Sequence, residues 1–286
     1  VRCEDEQRVA VLERRKGGLV WLEAAGEGWR VAFSTRLGGV SQGPYASLNI
    51  GYSVADEPRA VAENRRRLAA ALGLEVDDLV VPGQVHGTTL AMVGPGERGR
   101  GAFGKETVVS ETDGLLTGEA NVPLLVSSAD CVPVAIVARG AQGAARIALV
   151  HAGWRGMLAG IVGRAARRLT DRHKAPDQGR ETGAGGSGVR REHARLVAAV
   201  IGPSIGPCSF EVSDDVGRRF ESAFPGAWRD GTVDLWRAAE AQLVRAGLEA
   251  NAIRNPRVCT VCDRRFFSHR RDRGLTGRQA ALAWLT

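Results

Sequence analysis

Long apolar runs, export signals and paired-cysteine frameworks are all missing from this 286-residue chain. No stretch approaches the roughly 20 apolar residues that a bilayer-crossing helix needs. The opening VRCEDEQRVAVLERRKGG is too charged for a secretory leader. These absences point to the cytoplasm and to no membrane partner. Cysteine is scarce and odd in number, five in all. Without an export signal, that favours free thiols or a metal site over a disulfide scaffold. Histidine is equally scarce at five, so any metal chemistry has few imidazoles to draw on. Aromatics make up only 5% of the chain and no basic stripe interleaves with them, which argues against specific nucleic-acid binding despite a net charge of +7. The excess is arginine scattered among Asp and Glu, and it suits an anionic small molecule.

What is present is an ordinary globular composition, 44% apolar and 25% charged, without internal repeats. Strand-like runs recur between turn signals: GLVWLEA, WRVAFST, DLVVPGQVHGTTLAMV, VPLLVSS, VPVAIVA, RIALVHA and RLVAAVIGPS. Helical patterns sit among them in DEPRAVAENRRRLAAALGL, GMLAGIVGRAARRLTDR and VDLWRAAEAQLVRAGL. The irregular mixture predicts an α+β or layered α/β architecture, not a doubly wound sheet. We expect one domain over 1–286, interrupted by a Gly-rich, polar surface insertion at 173–193 that leaves His173 and His193 in solvent.

The stretch SSADCVPVAIVARGAQGAARIALVHAGWRG carries the first chemical signal. Its two apolar runs, joined by a short Gly-containing turn, read as a hairpin whose facing residue numbers sum to roughly 282–284. Cys131 and His151 then stand near one another at its open end, where they can share a metal ion or act as a thiol and its base. A buried structural cysteine and a capping histidine is the alternative. The chain continues into a helix whose first N–H groups, with Arg155, favour an anion. PGQVHGTTL adds Gln84 and His86, two apart and on one face if the segment is extended. His86, Cys131 and His151 together form the three-ligand pattern of a catalytic zinc with an open fourth position.

Several ordered motifs resemble the laccase-domain (YfiH-like) family, whose members carry the names polyphenol oxidase, purine nucleoside phosphorylase and peptidoglycan editing factor. They are STRLGGVSQGPYASLNIG, NRRRL, QVHG, ADCVPVAI, HAGWRG, IGPSIGPCSFEV and FFSHRRDRGLTGRQA, spanning Phe33 to Leu285. The resemblance implies a layered α/β/β/α sandwich with mixed sheets and a zinc-type site, with copper as the alternative ion, on His86, Cys131 and His151. It also implies a purine nucleoside and phosphate as partners, with phosphorolysis of adenosine, inosine, guanosine or methylthioadenosine and deamination of adenosine as activities. Arg36, Arg155 and Asn49 are the candidate phosphate and substrate contacts. Asp130 is the candidate proton carrier if the chain is irregular beside Cys131, with Asp113 and Glu211 as rivals. Arithmetic argues against true multicopper oxidation, because five histidines cannot furnish a blue-copper centre and a histidine-rich cluster, and leaves weak copper-dependent polyphenol oxidation at the His86–Cys131–His151 site as an alternative.

A metal-free alternative uses the same residues. The family fold also resembles that of deamidating cytotoxic necrotizing factor toxins, with a nucleophilic Cys–His pair, and editing of peptidoglycan precursors fits either mechanism. Cys259 and Cys262 form a lone CxxC, read as core-strand cysteines. Cys208 is read equally as packing or chemistry, and His269 as a strand-end residue.

Overall fold

The computed structural model describes residues 10–140, 142–170 and 194–286. The expected insertion at 173–193, with His173 and His193, lies outside the described residues. The first strands are β1 (Leu12–Lys16), β2 (Leu19–Gly26) and β3 (Trp29–Ser34), followed by helix α1 (Pro58–Leu72). Next come β4 (Leu90–Met92), β5 (Gly114–Thr117), β6 (Leu124–Ser128), β7 (Val132–Arg139) and β8 (Ala145–Ala152), then helices α2 (Trp154–Leu158) and α3 (Ile161–Thr170). The remainder is β9 (Arg195–Ile201), α4 (Asp214–Ala223), β10 (Trp228–Arg229), β11 (Thr232–Val233), α5 (Leu235–Arg245), β12 (Ile253–Arg254) and β13 (Gln279–Leu285).

Two sheets stack face to face. One is antiparallel in the order β1-β2-β3-β13-β6. The other is mixed, in the order β12-β9-β7-β8-β5-β4, with parallel pairs at its two edges. Side-chain alternation sorts each central strand into two cores. In β7, Val132, Val134, Ile136 and Ala138 pack beneath the helices with Met157, Ile161, Ala165 and Trp236. The intervening Ala135 and Val137 face the opposite sheet, meeting a layer that includes Phe33, Val126, Ala281 and Ala283. In β13, the alternate residues Ala280, Leu282 and Trp284 turn outward beneath Leu68 and Leu72 of α1. The order helix, sheet, sheet, helix is therefore written in the period-2 alternation of strands buried on both faces.

Two expectations change. The run DLVVPGQVHGTTLAMV is not one long strand: only Leu90–Met92 is regular, with isolated bridges from Val80 to Leu124 and from Pro82 to Val109. The single helix expected over GMLAGIVGRAARRLTDR is divided, because Gly160 adopts φ +81° and closes α2 before α3 begins. Gln242 of α5 serves that break, donating to the Met157 carbonyl at 2.9 Å and accepting from the Gly163 amide at 3.1 Å. Among the described residues no helix is long and apolar enough to cross a membrane.

Candidate metal centre and its cavity

The hairpin register pairs Val132 with Ala152 and Pro133 with His151, so Cys131 stands just outside the ladder. His151 shares the strand face of Ile147 and Leu149, the layer between the two sheets, and reaches the open end of the sandwich. His86 arrives from the irregular loop after Gln84 and adopts φ +62°. Gln84 also lines the cavity, but its amide is spent on Ser127: it donates to the Ser127 carbonyl and accepts from the Ser127 amide. The ligand atoms of His86, Cys131 and His151 all lie within 4.8 Å of one another. The two imidazoles meet edge to face, with ring centroids 4.9 Å apart.

Asp113 organises this set. Its carboxylate is fully buried and accepts from the amides of Val85 (3.1 Å), His86 (2.9 Å) and Gly87 (2.7 Å). Three successive N–H groups converging on one anion form a nest, which holds the left-handed turn at His86. The same carboxylate lies 3.0 Å from His151 Nδ1, leaving Nε2 for the cavity. The His151 amide also donates to the Asp113 carbonyl at 2.8 Å. Burial pushes the Asp113 carboxyl up, but the His151 bond and the Gly87 and Val85 amides outweigh it and hold it below its ordinary value. A carboxylate that fixes the tautomer and direction of a histidine is the usual support of a metal-binding imidazole.

Cys131 and His151 titrate as partners. Burial raises the Cys131 thiol, but the His151 charge and hydrogen bonds from His151 and His86 bring it down to about 6. Burial lowers His151, but the Cys131 charge and the Asp113 bond carry it up to about 9. Without a metal these shifts favour a thiolate facing an imidazolium, and a metal ion would take the place of the imidazolium's Nε2 proton. Two glycines make room for it. A Cβ on Gly153 would lie 2.7 Å from the His86 ring and 3.4 Å from the Cys131 sulfur, and one on Gly156 would lie 2.7 Å from the Gly87 carbonyl.

The three donors open into a cavity of about 640 Å³ with a cationic wall that includes Arg155 and Arg278. Neither is ion-paired among the described residues: the Arg155 guanidinium stacks on Trp154 at 4.6 Å, and Arg278 Nη1 donates to the carbonyls of Thr276 and Gly277. Burial pulls the Arg278 pKa down, while the Cys131 and Asp130 charges pull it up. Tyr52, also in the wall, has a buried hydroxyl without a hydrogen-bond partner among the described residues.

The remaining sequence candidates occupy different places. Asp130 lines the cavity with φ +87°, so the chain is irregular beside Cys131. Its two oxygens accept from the Thr260 hydroxyl (2.6 Å) and the Arg270 amide (2.7 Å). Arg36 stands outside the cavity wall, with Nε on the Ala46 carbonyl and its guanidinium over Phe267. Asn49 is fully buried, donating to Asp56 and accepting from the Arg278 amide at 2.8 Å. It sits behind the wall and positions Arg278. Arg278 lies within the motif FFSHRRDRGLTGRQA and Tyr52 directly follows STRLGGVSQGPYASLNIG, yet their place in one cavity with Cys131 and His86 is long-range and leaves no local signal.

The model of the multi-copper polyphenol oxidoreductase laccase family matches residues 30–286. The chain is 39% identical over 259 residues to the purine nucleoside phosphorylase YlmD of Geobacillus stearothermophilus, covering 87% of each. It is 36% identical over 261 residues to a purine nucleoside phosphorylase of Corynebacterium glutamicum, covering 90% of this chain and 94% of the other. The crystal structure of the Geobacillus YlmD is similar with a TM-score of 0.81 at 35% identity, covering 96% of this chain and 99% of that one. That of Bacillus licheniformis YfiH is similar with a TM-score of 0.77 at 30% identity, with the same coverage.

Two outcomes follow from the geometry. Asp113→Asn exchanges an acceptor oxygen for a donor facing the amide nest, and should weaken zinc binding by about 10- to 100-fold in a competition titration while circular dichroism stays native. In chelator-stripped protein, iodoacetamide labelling of Cys131, read by peptide mass spectrometry, should rise with pH through a midpoint near 6. A midpoint at the ordinary thiol value of about 8.5 would mean that His151 does not hold the thiolate.

Proposed function

The chain belongs to the multi-copper polyphenol oxidoreductase laccase family, and from that premise we propose that it is a zinc-dependent purine nucleoside phosphorylase that also deaminates adenosine. The observation that carries the reading is one cavity lined both by the His86–Cys131–His151 donor set and by Arg155 and Arg278, which have no ion-pair partner among the described residues. Two imidazoles and one thiolate suit a borderline-soft, tetrahedral ion such as zinc, and leave one position open. His86, Cys131 and His151 would hold it, and when bound it supplies a Lewis acid at neutral pH.

Phosphorolysis joins a phosphate oxygen to C1′ of the ribose while the C1′–N9 bond breaks, its electron pair leaving on the purine. Arg155 and Arg278 bind and orient the phosphate dianion, and their fixed charge lowers the cost of bringing it against the sugar. Phe210 lends an aromatic face, itself backed by the Arg270 guanidinium at 5.5 Å. Asp113 takes no part at the reacting atoms and keeps both imidazoles aimed. In deamination, water adds at the purine carbon bearing the amine and ammonia departs, with Asp130 as the proposed proton carrier on the cavity wall.

Polyphenol oxidation by several coppers finds too few donors: beyond His86 and His151, the one other histidine among the described residues is His269. A second reading is favoured by one observation. Cys131, His151 and Asp113 are linked in series as thiol, base and orienting carboxylate, the arrangement of a nucleophilic hydrolase. Such an enzyme would cleave an amide, as in editing of a peptidoglycan precursor, and would keep its activity after chelation and in His86→Ala.

The test uses purified wild type, His86→Ala and Arg278→Ala with adenosine, with and without phosphate. Wild type should yield adenine and ribose 1-phosphate with phosphate, and inosine without it. His86→Ala should lose both zinc at this site and turnover. Arg278→Ala should raise the KM for phosphate by about 10- to 150-fold, the loss of one charged hydrogen bond of about 1.5–3 kcal/mol. Zinc-loaded wild type inert towards every purine nucleoside would overturn the proposal.

A further inference from the structure

A second group of thiols stands apart from the donor set just described. Cys208 follows β9 in the loop SIGPCSF, while Cys259 and Cys262 lie in the turn CTVC ahead of β13. The fold folds these distant segments together: their sulfurs lie within 4.8 Å of one another, and those of Cys208 and Cys262 are 3.6 Å apart. Cys208 and Cys262 are exposed and Cys259 is buried. The expectation that the CxxC pair packs in the core holds for Cys259, which is buried and bridges to Ser204, but not for Cys262, which is exposed in the following turn.

The spacing is that of a coordination shell. Four ligands around zinc, with Zn–S near 2.3 Å and Zn–O near 2.0 Å, put neighbouring sulfurs about 3.8 Å apart and a hydroxyl about 3.5 Å from each sulfur. Ser209 Oγ lies 3.5 Å from Cys208, 3.7 Å from Cys262 and 3.7 Å from Cys259. Its hydroxyl is within reach of all three sulfurs, as a fourth ligand has to be. A disulfide bond, at about 2.05 Å, is far shorter than the Cys208–Cys262 contact.

Backbone amides are aimed at the buried sulfur of the group. The Gly206 amide donates to the Cys259 sulfur at 3.3 Å, and the Cys262 amide does likewise. Hydrogen bonds of this kind to a ligand sulfur orient it and tune the metal. Three thiolates on a dication leave one net negative charge. Arg270 and Arg271 are anchored alongside, donating to the carbonyls of Ser209 and Thr260.

We propose that Cys208, Cys259 and Cys262, with the Ser209 hydroxyl or a water at the fourth vertex, form a second, structural Zn²⁺ site. It clasps the loop after β9 to the turn before β13. Phe210 and Arg270, next to its ligands and anchors, line the cavity, and Thr260, inside the CxxC turn, holds Asp130 beside Cys131. Metal at this outer cluster therefore stiffens one wall of the reaction cavity without touching its contents.

The test separates the two sites. Full-length His86→Ala/Cys131→Ala protein, purified anaerobically and reconstituted with zinc alone, should retain about one equivalent, as one closed site predicts. Adding Cys208→Ser and Cys262→Ser should remove it. In the unmodified chain, zinc should suppress iodoacetamide labelling of Cys208 and Cys262, and a chelator should restore it, which needs no variant to fold. Loss of all zinc from the first variant with labelling of wild type unaffected would overturn the site, as would a Cys208–Cys262 disulfide in zinc-saturated protein.

Discussion

The buried carboxylate of Asp113 is the interaction on which the site depends. It satisfies three amides of the loop that carries His86 and orients the ring of His151. One anion thus sets the position of one ligand through its backbone and of another through its side chain. Stripped of that anion, the three amides and the His151 Nδ1 proton would be left unpaired in a water-poor interior, at about 1–3 kcal/mol each. The carboxylate can remain ionised because those four donors surround it. Its negative charge in turn favours the imidazolium that stabilises the Cys131 thiolate.

The sandwich explains where this chemistry can stand. Within the sheets, residues between the layers are apolar and dry; at the strand ends the same face opens to the cavity. His151 occupies the last inward position of β8, and Cys131 precedes the first inward position of β7. Two side chains from adjacent antiparallel strands are held there by the ladder itself, so only the third donor needs a loop. That loop departs from ordinary geometry, with His86 in the left-handed region, and Asp130 does the same next to Cys131. Left-handed residues outside glycine concentrate where surrounding bonds over-determine them, as the Asp113 nest does here.

Much of this was legible before the structure. The layered α/β/β/α architecture is carried by strands that are apolar on both faces and by capped helices such as α1, which ends at Gly73 with φ +74°. The hairpin placed Cys131 and His151 together because register follows from a short turn. QVHG brings His86 to them, although the segment is not extended there, because His86 adopts φ +62°. Asp113 stood as one rival carboxylate among several, since its four bonds link residues far apart in the chain. That Arg278 lines the cavity and Arg36 does not is invisible locally for the same cause: a cavity wall is assembled by tertiary packing, and arginines in glycine-rich loops look alike in sequence. The CxxC pair was read as core because its third partner, Cys208, comes from another segment.

The most direct measurement is anomalous diffraction at the zinc edge from crystals of the zinc-loaded protein. The account predicts a peak bonded to Cys131 Sγ, His151 Nε2 and one His86 ring nitrogen at about 2.0–2.3 Å, with Asp113 behind His151 and outside bonding distance. Zinc ligated by Asp113 itself, or no zinc at these three residues in protein saturated with the metal, would contradict it.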